Sequence, residues 1–127
     1  MTVPKEYLPV MPYLIIKDAY KFINFMKAAF NAEVQYLHER SEGVIMHAEL
    51  KIEQAIIMLA DATAEYLPFP GSVFMYVENA DTIIEKALSM GAASLQEIAD
   101  RPYGRGGGFK DDFGNHWWVN TPLEKQQ

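Results

Sequence analysis

Residues 13–30, YLIIKDAYKFINFMKAAF, join two different periodicities. Tyr13 to Ile16 is a short bulky apolar run that reads as a strand. Asp18 follows as a helix N-cap, and Phe22, Ile23, Met26 and Phe30 then recur at the spacing of one helix face over 19–30. Asn31 is placed to stop that helix in a left-handed turn. Sixty-one residues further on, FMYVENA at 74–80 repeats the strand, Asn79 repeats the cap, and Ile83, Ile84, Ala87 and Leu88 repeat the stripe ahead of Gly91. A repeat of this length sets the architecture before any single motif does.

After each helix the period changes to two. The spacing predicts strands at Val34–Leu37, Val44–Ile52 and Ala55–Ala60, with a tight turn at Glu53-Gln54. The second half answers with Leu95–Ile98, Gly104–Lys110 and His116–Asn120, the last two joined by Asp111-Asp-Phe-Gly-Asn115. The chain therefore reads as an α+β protein of two βαβββ modules, about 9–60 and 72–122, within one domain spanning 1–127. Residues 61–71 serve as linker, since Pro68 and Pro70 suit a connection better than a strand. A four-stranded sheet needs its apolar face covered, which puts the helices over the sheets.

Strand parity sorts the residues onto two faces. Leu14, Ile16, Ile57, Leu59, Val73, Met75, Val77, Trp117 and Val119 share the apolar parity and belong under the helices. Met11, Tyr13, Ile15, Met58, Ser72, Tyr76, His116, Trp118 and Asn120 share the other. That mixture of bulky apolar groups and isolated hydrogen-bonding groups is what lines small-molecule sites. In 44–52 the apolar parity takes Val44, Met46, Ala48, Leu50 and Ile52, leaving Ile45, His47, Glu49 and Lys51 on the mixed face.

Composition bounds the chemistry. Half of the 127 residues are apolar and 22% are charged, as in ordinary globular domains. With no cysteine, thiolate metal sites, cysteine nucleophiles and disulfides are excluded. Seventeen acids against eleven bases give a net charge of −6, and no basic run is present to neutralise a phosphate backbone, which argues against nucleic acid as a partner. The opening MTVPKEYLPVMPYLIIKD lacks the pattern of a secretory signal, and no apolar run approaches the length of a membrane span. The expectation is a cytoplasmic protein without membrane contact.

Three stretches carry a resemblance: PYLIIKDAYKFINFMKAAFNAE, MHAELKIEQAIIMLAD and, above all, YGRGGGFKDDFGNHWWVNTP. Over about residues 9–122 the chain resembles the vicinal oxygen chelate superfamily of glyoxalase I, fosfomycin-resistance and bleomycin-resistance proteins and extradiol dioxygenases, and within it the PhnB-like branch. The resemblance implies a homodimer and one curved eight-stranded mixed sheet enclosing a cleft. Metal-dependent members carry His and Glu ligands at four inward positions, which here match Met11, Met58, Ser72 and Trp118. Thioether, hydroxyl and indole groups are not ligands for Zn, Ni, Fe or Mn at ordinary distances. The expectation is therefore a protein without cofactor or metal that binds a small hydrophobic or cationic aromatic compound. The alternative is a metal-dependent lyase, isomerase or dioxygenase with a relocated site built from His47, Glu49 and His116. A regulatory domain with a filled cleft is a third reading.

The candidate ligand-binding set is Tyr13, His47, Glu49, Met58, Tyr76, Tyr103, Arg105, His116 and Trp118. His47 and Glu49, two apart on one strand, read as a solvated pair, as pocket contacts with one orienting the other, or as metal ligands. Trp117 reads as core. Trp118 either fills the cleft or offers a stacking plate. Arg101, Tyr103 and Arg105 fall at the cleft mouth. The glycines at 104 and 106–108 match neither standard phosphate-loop spacing and read as structural, and Asp111-Asp112 reads as a turn signature.

Overall fold

The computed structural model describes residues 1–123. The chain forms two compact units, Met1–Phe69 and a second beginning at Pro70. In the first, the order is β1 (Tyr13–Ile16), α1 (Ala19–Phe30), β2 (Glu33–Ser41), β3 (Val44–Ile52) and β4 (Ala55–Asp61). The second repeats it with β5 (Ser72–Tyr76), α2 (Ala80–Ser89), β6 (Ala93–Arg101), β7 (Gly104–Lys110) and β8 (His116–Thr121). Each unit holds one four-stranded mixed sheet, β1-β4-β3-β2 and β5-β8-β7-β6, in which the first strand runs parallel to the last and the other pairings are antiparallel. Both βαβββ modules of this α+β fold thus stand as the repeat predicts. No helix among the described residues is long and apolar enough to cross a membrane.

Each helix covers one face of its own sheet. In the first unit Phe22, Ile23 and Met26 of α1 are buried with Leu14, Ile16, Ala48, Leu50, Ile57 and Leu59, the parity that alternation assigns to the core. In the second, Ala80, Ile84 and Ala87 of α2 are buried with Phe109, Trp117 and Val119. Fully burying such a side chain contributes about 1.5–3 kcal/mol, so these few residues fix which face looks inward. The turn between β7 and β8 is fastened from inside. Asp111, 3% exposed, accepts the backbone N–H groups of Phe113 and Asn115, the Asn115 side-chain amide and, at 2.8 Å, the Trp117 indole N–H.

The structure corrects three expectations. Asp18 does not cap α1: it is itself left-handed at φ 67° and makes no side-chain cap bond. Asp61, at the end of β4, accepts the Ala19 N–H at 2.9 Å instead. Thr121, at the end of β8, does the same for Ala80 at 2.8 Å, while Asn79 caps α2 through the Thr82 N–H as expected. The second correction is at the start of β3, where Ile45 is fully buried and Met46 is 49% exposed, the reverse of simple alternation. His47 pairs with His38 and Ile45 with Glu39, so Met46 is the extra residue of a bulge that flips the parity behind it. The Ile45 N–H then turns to Asp61, at 2.7 Å. Finally, β2 and β6 extend well past 34–37 and 95–98, because register shifts in both interrupt the alternation that a sequence reading follows. Within residues 61–71, Phe69 makes a single antiparallel bridge to Ile15.

Candidate functional site

The open face of each sheet carries a distinct cluster. In the first unit one row across the strands is Tyr13, Met58, Glu49 and Tyr36, with His47 beside it. Glu49 is 4% exposed. Its Oε1 accepts the Tyr7 hydroxyl at 2.8 Å and the Gln35 side-chain amide at 3.1 Å, and its Oε2 lies 2.8 Å from Nε2 of His47. Burial works against the charged carboxylate. The bonds from His47, Tyr7 and Gln35 outweigh it and hold Glu49 below the usual glutamate range. The other His47 nitrogen, Nδ1, lies 2.9 Å from the Tyr13 hydroxyl. An ionised carboxylate only accepts, so Nε2 carries the proton and, in neutral His47, Nδ1 accepts from Tyr13. Burial, then the Glu49 charge, raises the Tyr13 pKa and keeps its phenol protonated.

In the second unit the open face is aromatic. Phe74 pairs with Trp118 across β5 and β8, and Trp118 pairs with Gly108 across β7. The half-buried indole of Trp118 donates its N–H to Ser72 Oγ at 2.9 Å and lies across Gly108, where a Cβ would sit 2.4 Å from the ring. Phe74 meets Tyr76 edge-on at 5.1 Å and Tyr103 at 6.1 Å, and Tyr76 donates its hydroxyl to the Tyr103 carbonyl. All three rings are about half exposed. His116 stands edge-on to Trp118 at 6.2 Å.

The expected residues thus divide. Tyr13, His47, Glu49 and Met58 share the first face; Tyr76, Tyr103, His116 and Trp118 share the second. Arg105 joins neither, because its parity places it on the helix side, where Asp81 of α2 and Asp100 of β6 pair with it at 3.0 and 3.2 Å. Arg101 is spent on backbone carbonyls of Glu97, Ala99 and Gly106. The glycines are structural in the way their spacing implies: a Cβ at Gly106 or Gly107 would strike the neighbouring strand's backbone. The sequence reading left out four participants, Phe74, Tyr36, Gln35 and Tyr7. Phe74 has the parity of Ser72 and Tyr76 and was legible. Gln35 reaches Glu49 only because β2 bulges there, and Tyr7 lies outside any element, so neither had a periodic signal.

Residues 8–119 match the sequence profile of the Glyoxalase/Bleomycin resistance protein/Dioxygenase superfamily. The chain belongs to that superfamily. It is similar to an uncharacterized protein of Mycobacterium bovis, at 27% identity over 90% of this chain and 83% of that one. Its fold is similar to the PhnB protein of Bacillus cereus, with TM-score 0.70, 19% identity and coverage of 90% and 99% of the two chains. It is equally similar in fold to TnmS3, an antibiotic binding protein from Streptomyces sp. CB03234, with TM-score 0.70, 16% identity and coverage of 92% and 100%.

The four positions that the resemblance matches to metal ligands are Met11, Met58, Ser72 and Trp118. The Ser72 hydroxyl is engaged by Trp118, and both His47 nitrogens are engaged by Tyr13 and Glu49. Among the described residues no three His, Cys, Asp or Glu side chains gather as a metal-holding group. Thioether, hydroxyl and indole groups at those four positions are poor ligands for a divalent ion.

Proposed function

We propose that this superfamily member binds a small planar hydrophobic or cationic aromatic compound, without a metal, and that two copies of the chain pair as the resemblance implies. The observation that carries the reading is the Trp118 plate. Gly108 lets the indole lie across the sheet, Ser72 holds its N–H, and half-exposed Phe74 is its cross-strand neighbour, with Tyr76 and Tyr103 packed against Phe74. A pinned aromatic surface stacks a planar ligand at little conformational cost, and a ring face attracts cations. The net charge of −6 favours approach by cationic ligands. That TnmS3, similar in fold, is an antibiotic binding protein supports a small-molecule ligand.

Fluorescence titration with metal-free bleomycin and a panel of cationic aromatic compounds tests the reading. Trp117 is fully buried and Trp118 is half-buried, so a ligand stacked on the plate quenches the more accessible indole. Trp118→Ala is expected to weaken binding by about tenfold or more. Absence of any saturable signal across the panel would sink the proposal. A measured solution mass of one chain would remove the dimer.

A further inference from the structure

The hydrogen-bonded series on the first sheet is more ordered than ligand contact requires. Tyr13 Oη, His47 Nδ1, His47 Nε2 and Glu49 Oε2 follow one another at 2.9 and 2.8 Å across the ring. Glu49 is held in place by Tyr7 and Gln35, and its burial leaves it few ways to reorient. At the other end Tyr13 is 45% exposed. A hydroxyl on a half-exposed residue, a base within hydrogen-bond reach of it and a buried carboxylate orienting that base make the arrangement that activates an oxygen nucleophile.

We propose that Tyr13 is the nucleophile of an acyl-transfer site on the first sheet, with His47 as its general base and Glu49 as the positioning residue, acting on activated carboxylic esters. This stands apart from the ligand reading, which rests on the second sheet. As Tyr13 Oη bonds to the ester carbonyl carbon, its proton passes to His47 Nδ1. The bond from that carbon to the leaving oxygen then breaks, and His47 returns the proton to that oxygen. The products are acyl-Tyr13 and a free alcohol or phenol. Water next attacks the acyl carbon while His47 takes its proton, and Tyr13 leaves and is reprotonated, releasing a carboxylic acid. An acyl-phenol suits the second half, since a phenol, even with the pKa raised by burial and by Glu49, leaves more readily than an alkoxide. Glu49 fixes the tautomer that presents the Nδ1 lone pair and stabilises the transient imidazolium.

The probe is p-nitrophenyl acetate, with p-nitrophenolate release followed by absorbance and the acetylated residue located by tandem mass spectrometry. Acetyl is expected on Tyr13, and Tyr13→Phe removes it together with the fast phase of release. Tyr66→Phe, an exposed control, leaves both unchanged. His47→Gln is expected to slow acetylation of Tyr13 by about a hundredfold. Glu49→Gln slows it about tenfold or more. In that variant the imidazole ¹⁵N shifts, expected to report protonated Nε2 in the wild type, move to a mixture of tautomers while the near-ultraviolet dichroism of buried Trp117 stays unchanged, which separates lost positioning from general loosening of the fold. Tyr13→Phe is nearly isosteric, and unchanged far-ultraviolet dichroism confirms that it folds. Acetyl confined to lysines and the terminal amine, or equal release by wild type and Tyr13→Phe, would overturn the proposal while leaving ligand binding at Trp118 intact.

Discussion

Trp118 lies on Gly108: a Cβ built at residue 108 would come within 2.4 Å of Cε3 and 2.5 Å of Cζ3 of the indole. Glycine inside a strand ordinarily weakens it, and here the cross-strand ring covers the exposed backbone. The same contact sets the orientation of the plate.

Gly108→Ala is therefore expected to destabilise the protein by about 1–3 kcal/mol, although alanine is the better strand former. The indole has to tilt away from the sheet and loses its bond to Ser72. Urea melts give the stability, and near-ultraviolet dichroism and the acrylamide quenching of fluorescence report the displaced ring. An unperturbed spectrum in the variant contradicts the contact.

Asp111→Asn tests how the β7–β8 turn is fastened. Oδ2 of Asp111 accepts both the Asn115 amide and the Trp117 indole, while Oδ1 accepts two backbone N–H groups. Asparagine keeps the shape but must set its own NH₂ against one of these pairs of donors. Leaving buried donors unmatched costs about 1–3 kcal/mol, so a loss of that size is expected in denaturant unfolding, with broadening of the Trp117 indole N–H resonance.

The start of α1 gives a paired prediction. Asp18 is left-handed and contributes no cap bond, and its pair with Lys21 is 3.8 Å long and exposed. Asp18→Gly removes that backbone strain, so stability is expected to stay level or rise by up to about 1 kcal/mol. Asp61→Ala strips acceptors from both the Ala19 and Ile45 N–H groups and is expected to cost about 2 kcal/mol or more. Equal losses in the two variants would mean that Asp18 caps the helix after all.

Acid should act through Glu49. Its carboxyl sits below the usual glutamate range in the folded protein and at the ordinary value when unfolded, so the unfolded chain binds a proton first as pH falls. The stability from ionised Glu49 is thus present above the ordinary glutamate pKa and is lost as pH drops through the lowered one. Urea melts between pH 7 and pH 3 are expected to show a smaller acid-side loss in Glu49→Gln than in the wild type. Parallel slopes would contradict the depressed value.

Much of this protein was legible from its order of residues. The 61-residue repeat, the helical stripe from Phe22 to Phe30, the burial of Ile84 and Ala87 in its counterpart, and the burial of Trp117 opposite the half-open Trp118 follow from period and parity, while Leu88 of the expected second stripe is exposed. These are local properties, set by which side of an element each residue faces, and a sequence states them directly. Tertiary structure decided the rest. Which carboxylate caps α1 depends on Asp61 arriving from another strand, and which of Ile45 and Met46 is buried depends on one extra residue in β3. Gln35 and Tyr7 reach Glu49 only through a bulge and an irregular segment, and Arg105 turned to the acids beside α2 instead of the aromatic face. A bulge shifts phase without leaving a periodic trace, and a hydrogen bond across strands is chosen by register, which pairing of the whole sheet determines.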